Sequence, residues 1–498
     1  MFSVIINCID IYMSTQVRWF VPATLLATAL LLPHPVQAID ELHVLLPVLR
    51  QKLTVQLKEL ASPDALWAGK SDLAELNRAT NGSYAISLLQ LLNSPLPIQK
   101  DFDSAMARQG EVLLGSLLEV DASQPNLLKT DPVLAGIKAA QAKYEQVSLL
   151  NVLQEIPGKS VTVRLDRALP FIKRLQGQQL AAAELIPNFN KATPAPASLL
   201  APGKFATQTS VVLLPATENL NEPLEVTVVR PLDKPSLPPV VISHGLWDSP
   251  SSFLGWAQHL ASHGAAVFLP RHAGSDRNQQ AEMLAGHAAP PAPVEFLRRP
   301  TEVKAVLDAL ETGKIPAAAG IAPRNVVFIG HSWGATTALQ LAGARSVASD
   351  LWNACKDPEH PKRNLSWVLQ CSFLPAAVAG SFADPRISRV VAVSPPQALV
   401  FAAGISDLKL PVLVVSGSSD LVVPPKPEAL LPFSQYPKNG SQLVIAERGT
   451  HFNLPAGADS NGGPLRALLL QWLIAKPFDA STGITDPASL QLRLGGGT

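Results

Sequence analysis

Between Pro238 and Glu447 the chain returns again and again to short, wholly apolar runs: "PPVVISHG", "GAAVFLP", "NVVFIG", "RVVAVSP", "PVLVVSG" and "QLVIAE". A strand with one wet face alternates apolar and polar residues. A run without alternation must have both faces buried. Segments of helical period separate most of these runs, among them "SSFLGWAQHLASHG", "RPTEVKAVLDALETG" and "ATTALQLAGARS". Such alternation predicts an α/β fold, a mostly parallel sheet with helices on both faces. "TSVVLLPA" and "LEVTVVRP", just upstream, read as a leading antiparallel pair. In open sheets of this class, ligands meet the protein beyond the carboxyl ends of the strands.

One of those ends is unusual. In "NVVFIGHSWGATTALQLAG" the strand gives way to a small-residue helix through Gly330-His331-Ser332-Trp333-Gly334. A serine there for solubility needs neither glycine. A serine raised on a sharp turn for nucleophilic attack needs both, because side chains would strike the adjoining strand and helix. A serine hydroxyl also needs a base, and the base an orienting acid. For this elbow the chain order is serine, acid, histidine. Asp420 follows "PVLVVSGSS" and His451 follows "QLVIAERGT", both just past late strands. The reading is therefore nucleophile Ser332, acid Asp420 and base His451. Asp384 sits before its strand, and Glu447 is too near His451, so neither competes. Two backbone N–H groups should hold the oxyanion of acyl transfer: that of Trp333 and, from the loop after "PVVISHG", that of Leu246. His244 precedes the serine and is read as shaping that loop.

From about Thr207 onward, the chain resembles the alpha/beta-hydrolase superfamily. "VVISHG", "GHSWG", "SGSSDLVVPP" and "GTHFN" are similar to the branch holding platelet-activating-factor acetylhydrolase and predicted dienelactone hydrolases. The whole chain resembles exported bacterial hydrolases with an N-terminal domain of unknown function. True dienelactone hydrolases carry cysteine at the nucleophile. Ser332 stands here, so the resemblance implies ordinary carboxylic esters.

The remaining segments fix the organisation. Residues 1–38 read as a signal peptide: Arg18, an apolar run from Trp19 to Leu32, then Val36 and Ala38 before the cut. Translation is expected to start at Met13 rather than Met1. Residues 39–186 read as a mainly helical domain, with "LTVQLKEL" and "SVTVRLDRAL" as candidate strands. The stretch 187–206, "PNFNKATPAPASLLAPGKFA", reads as a Pro/Ala linker, and 207–498 as the hydrolase domain. Two insertions are expected to cover the site, Arg271–Arg299 and about 344–387. The second carries Cys355 and Cys371, expected to pair in an oxidising compartment. It also carries Trp352, Trp367, Phe373 and Phe382, either an aromatic lid or a cluster packing on itself. Arg271 and Asp276 form either a structural ion pair or part of the binding site.

The function expected is an exported, periplasmic or extracellular serine carboxylesterase, lipase-like, acting on a small-molecule or lipid ester. Acyl transfer, peptide hydrolysis and a non-catalytic surface-binding role stay open, as do contact with a lipid surface and the oligomeric state. With net charge +1 and no basic block, nucleic acid is not expected as a partner. No cofactor or metal is expected, since neither exported cysteine has a metal-ligand neighbour.

Overall fold

The computed structural model describes residues 38–495 apart from 47–50, 83–88, 91, 94–117, 122–131, 145–146, 164–172, 175–176, 179, 185, 218–219, 221, 285–290, 347–359, 361, 374–375, 377–379, 403 and 476. The signal segment up to Gln37, both candidate start residues, Cys355 and Trp352 lie outside the described residues. The chain divides into two compact units, the first formed by residues 1–170 with 282–288 and the second by residues 171–281 with 289–498.

The first unit is mixed rather than mainly helical. It holds a four-stranded sheet in the order β2-β1-β4-β3, with β1 Glu41–Leu46, β2 Gln51–Gln56, β3 Leu118–Val120 and β4 Ser160–Val163. β2 and β4 are the two alternating segments read as candidate strands. β1 and β3 were not foreseen: "ELHVLL" has too few polar positions to show a period, and β3 spans only three residues. Helices Pro132–Lys143 and Leu149–Glu155 contribute Ile137, Ala140, Val152 and Leu153 to a core with Leu42, Val55 and Val161. Helix Asp72–Ala79 is capped by Ser71, whose hydroxyl accepts from the Ala74 N–H. Asn81 and Gly82 end it at φ 51° and 76°, the left-handed stop their types favour.

The second unit carries a ten-stranded sheet in the order β5-β14-β13-β12-β11-β10-β8-β9-β7-β6. Its strands are β5 Asn190–Lys191, β6 Thr207–Leu214, β7 Leu224–Pro231, β8 Val240–Ser243, β9 Val267–Pro270, β10 Val326–His331, β11 Ile387–Val393, β12 Val412–Gly417, β13 Gln442–Ala446 and β14 Leu492–Leu494. β9, β8, β10, β11, β12 and β13 run parallel, whereas β6 pairs antiparallel with β7 and β7 with β9. This is the α/β-hydrolase architecture expected. Successive strand residues divide between two cores. Val241, Phe328, Val390 and Val414 face helices Glu295–Glu311 and Trp333–Leu341. Val240, Ile242, Val327, Ile329, Val391 and Val415 face Trp256, Leu260, Leu468 and Trp472. Burial on both faces is the reason these strands carry no alternation.

The stretch 187–206 is not a linker. β5 pairs with β14 at the sheet edge, and Ala192, Ala195 and Leu199 are buried in the second core. Its prolines and alanines mimic a flexible tether in composition, but small apolar residues also serve close packing along an edge.

The sheet order reverses at β8. The chain leaves β8 for β9 on one side and returns to β10 on the other. The crevice of a parallel sheet opens at such a reversal, between the carboxyl ends of the two flanking strands. The expected oxyanion loop follows β8, and Ser332 follows β10.

Candidate active site

Ser332 sits between β10 and helix Trp333–Leu341 with φ 53° and ψ −122°, a conformation that side-chain-bearing residues rarely adopt. The surrounding backbone enforces it. The Ser332 N–H donates to the Val393 carbonyl at 2.8 Å, and its own carbonyl accepts from the Ala335 and Thr336 N–H groups. Both flanking glycines are sterically required. A Cβ on Gly330 would stand 2.0 Å from the Gly334 carbonyl oxygen, and one on Gly334 would stand 2.1 Å from the Ser243 carbonyl oxygen. The turn is tight because strand, helix and the end of β8 converge on it.

A second glycine contact unites the loops that carry Asp420 and His451. A Cβ on Gly417 would lie 2.3 Å from the Gly449 carbonyl oxygen, which also accepts from the Ser419 N–H at 2.8 Å. This close approach brings the loop after β12 against the loop after β13. Asp420, wholly buried, accepts through Oδ1 from the Val422 and Val423 N–H groups at 2.9 and 2.8 Å. Its Oδ2 lies 2.9 Å from His451 Nδ1. The carboxylate accepts, so Nδ1 carries the proton and Nε2 is left with a free lone pair. His331, next to the serine, donates from Nε2 to the His451 carbonyl at 3.0 Å, and the two rings lie 4.7 Å apart. Burial, assisted by the nearby His451, holds His331 well below the usual histidine range, so it packs as a neutral ring. Among the described residues the Ser332 hydroxyl makes no hydrogen bond. Catalytic hydrogen bonds in unliganded sites are commonly long and tighten once substrate is bound.

The loop after β8 lies against the serine. A Cβ on Gly245 would be 3.1 Å from the Ser332 Cβ. Neither the Leu246 nor the Trp333 N–H has a backbone acceptor among the described residues. His244 is buried, and its Nε2 accepts from the His272 N–H at 3.1 Å, so Nδ1 carries the proton and donates to the Gly245 carbonyl at 2.8 Å. Desolvation keeps it well below the usual histidine range. Its side-chain hydrogen bonds run to its own loop and to the segment after β9.

Two buried polar groups of the second unit escaped the sequence. The first is a polar cluster behind the β8 loop. His272 lies 2.5 Å from Glu302 through Nδ1 and 2.8 Å from the Ser243 hydroxyl through Nε2. Burial pushes Glu302 up to about 8, against the opposing pull of Arg299, and holds His272 well below its usual range. A protonated Glu302 donating to a neutral His272 fits both directions. Between pH 4.5 and about 8 an unfolded carboxyl is ionised while the folded one keeps its proton. The folded state then binds more protons, so stability falls as pH rises through that window. Glu302→Gln should flatten this slope in urea midpoints measured across it. An unchanged slope would place the titration elsewhere.

The second is Glu428, which accepts at Oε1 from Asn364 Nδ2, Ser366 Oγ and Gln370 Nε2, and at Oε2 from the Gln397 and Ala398 N–H groups. It ties helix Ser366–Phe373 to the loop after β11. Glu428→Ala leaves these buried donors without an acceptor, and each such group costs roughly 1–3 kcal/mol. A loss of about 3 kcal/mol or more should appear in urea unfolding. Nothing local marks this carboxylate, since "PKPEAL" reads as an ordinary polar loop.

The aromatics of the expected lid are largely core. Trp367 and Phe373 are buried, and Phe373 stacks on Trp333 at 3.7 Å between ring centroids. Arg271 pairs with Asp276 at 2.5 Å, and Asp276 also accepts from the Gln279 N–H, so the pair caps a helix start. Cys371 lies on helix Ser366–Phe373, with its expected partner outside the described residues. Among the described residues, no group of three or more His, Cys, Asp or Glu could hold a metal ion. No helix among them is long and apolar enough to cross a membrane.

Residues 240–459 match the alpha/beta hydrolase family. The matched range falls in the second unit apart from residues 282–288, and it spans β8 through the His451 loop. It agrees with the α/β-hydrolase architecture of the ten-stranded sheet. No curated protein matches the chain.

Proposed function

We propose that this α/β-hydrolase unit is a serine esterase that cleaves carboxylic esters through an acyl-enzyme on Ser332. His451 Nε2 takes the hydroxyl proton as Ser332 Oγ bonds to the ester carbonyl carbon. The Trp333 and Leu246 N–H groups receive the developing oxyanion. Collapse breaks the bond to the alcohol, which leaves with the proton from His451. Water then attacks the acyl-enzyme by the same route and releases the acid. Asp420 holds the Nδ1–H tautomer and stabilises the imidazolium. One observation carries this reading: a strained serine at a glycine-flanked turn, its neighbour His331 bonded to the carbonyl of a histidine that an aspartate orients.

Trp333, next to Ser332 in the chain, and Leu246, next to the Gly245 that abuts it, pack with Phe373 in one apolar cluster, which favours an apolar acyl group and admits lipid esters. The N-terminal segment favours export, and the Cys355–Cys371 bridge belongs to the same proposal. The test is a fluorophosphonate probe with peptide mass spectrometry, run beside p-nitrophenyl esters of graded chain length. Ser332 should carry the label. Folded mature protein that is neither labelled nor able to turn over any ester would end the esterase reading.

A further inference from the structure

The largest charged side chain in the second unit's interior is Arg299, wholly buried on helix Glu295–Glu311. Desolvation lowers it to about 10, which leaves it charged at neutral pH. Its donors converge on the β8 loop. Nη1 donates to the His244 carbonyl at 2.6 Å, Nη2 to the Gly245 carbonyl at 3.2 Å, and Nε and Nη2 to the Ser275 hydroxyl at 3.1 and 2.9 Å. The guanidinium also lies 4.3 Å from the centre of the Trp333 ring. Ser275 completes the brace, since its carbonyl accepts the Trp247 N–H at 2.8 Å. The loop needs holding: Trp247 sits at φ 55°, which a bulky residue does not adopt unforced.

We propose that Arg299 is a positioning residue for the oxyanion donors, an inference that rests on the esterase reading above. The Leu246 N–H belongs to the same peptide plane as the Gly245 carbonyl. In a trans peptide these two groups point in opposite directions. Clamping the Gly245 oxygen onto Arg299 and His244 therefore aims the Leu246 N–H away from them, on a loop whose Gly245 already abuts Ser332. The same cation stacks on the ring of Trp333, whose N–H is the second donor. One buried guanidinium thus braces both walls of the oxyanion pocket without touching substrate. A lysine offers a single nitrogen and cannot span the two carbonyls and Ser275 together.

The experiment compares wild type, Arg299→Lys and Ser275→Ala. It measures kcat and KM on an active p-nitrophenyl ester, melting temperature, and the Ki of a trifluoromethyl ketone, which forms an oxyanion on Ser332. Arg299→Lys should lower kcat on the order of 10²-fold, the scale of losing one oxyanion donor. The ketone Ki should rise in parallel, with KM held within about threefold, because ground-state binding does not use the oxyanion. Ser275→Ala should move kcat and Ki the same way by a smaller factor, about threefold to tenfold. A purely structural role would lower the melting temperature and leave ketone Ki and KM moving together. Folded variants with wild-type kcat and Ki would overturn the inference. If Arg299→Lys does not fold, Ser275→Ala decides alone, and wild-type values there overturn it. An inactive, unlabelled wild type would instead remove the esterase reading itself.

Discussion

Ser332→Ala is expected to reduce ester turnover by a factor on the order of 10⁴–10⁶ and to abolish fluorophosphonate labelling, with the fold intact. The large factor reflects a covalent route that no neighbouring group can replace. Any residual rate over water would come from the oxyanion donors and substrate binding. The variant also separates chemistry from strain. A residue with a Cβ at φ 53° and ψ −122° carries on the order of 1–3 kcal/mol of backbone strain. Alanine keeps its Cβ and so keeps that strain. Ser332→Gly releases it, at an entropic cost of about 0.4–1 kcal/mol in the unfolded chain. The strain term is the larger, so Ser332→Gly should melt above Ser332→Ala while both are inactive. Retained turnover in either would remove Ser332 from the mechanism. Equal melting points would show that the turn is not strained.

Asp420→Asn is expected to lower kcat on the order of 10³–10⁴-fold through a tautomer change. Oδ1 of Asp420 accepts two backbone N–H groups, and Oδ2 accepts one imidazole N–H. An asparagine has one oxygen for these two sets of donors. Its carbonyl satisfies more donors by staying on the Val422 and Val423 N–H groups, which turns the amide NH₂ toward His451 Nδ1. Nδ1 must then accept, and the proton moves to Nε2. An imidazole protonated at Nε2 cannot take the proton of Ser332. Melting temperature should change little, because the loop keeps its backbone hydrogen bonds. Nitrogen chemical shifts of His451 report the tautomer directly. A wild-type tautomer together with wild-type kcat would refute the role of Asp420. Asp420→Ala is a poorer test, since it also strands two buried N–H donors.

Much of the hydrolase unit was legible because both of its signals are local. Unbroken apolar runs such as Val240–Ile242 and Val326–Ile329 follow from burial on both faces of one sheet. Glycine at 330 and 334 follows from a turn with no room for a Cβ. The first unit was less legible, because a three-residue strand and a stretch like "ELHVLL" carry too little period to distinguish strand from helix. The stretch 187–206 misled for another reason. Proline and alanine describe a tether and a closely packed edge equally well, and only the partner, β14, tells them apart. Arg299 did leave a trace. It lies with Phe296, Val303 and Val306 on the buried stripe of its helix, where a charge has to find partners.

The parallel sheet, the glycine-flanked turn and the candidate set of Ser332, Asp420 and His451 could all be read from the chain, because each is written in neighbouring residues or in chain order. The tautomer of His451, its hydrogen bond from His331, the hold of Glu428 on a helix and the contact of Arg299 with the loop carrying Leu246 emerge only from the packed chain. Those contacts join residues some 30 to 120 positions apart along the chain. Distance and direction between such groups depend on how the layers pack, and no local pattern records that.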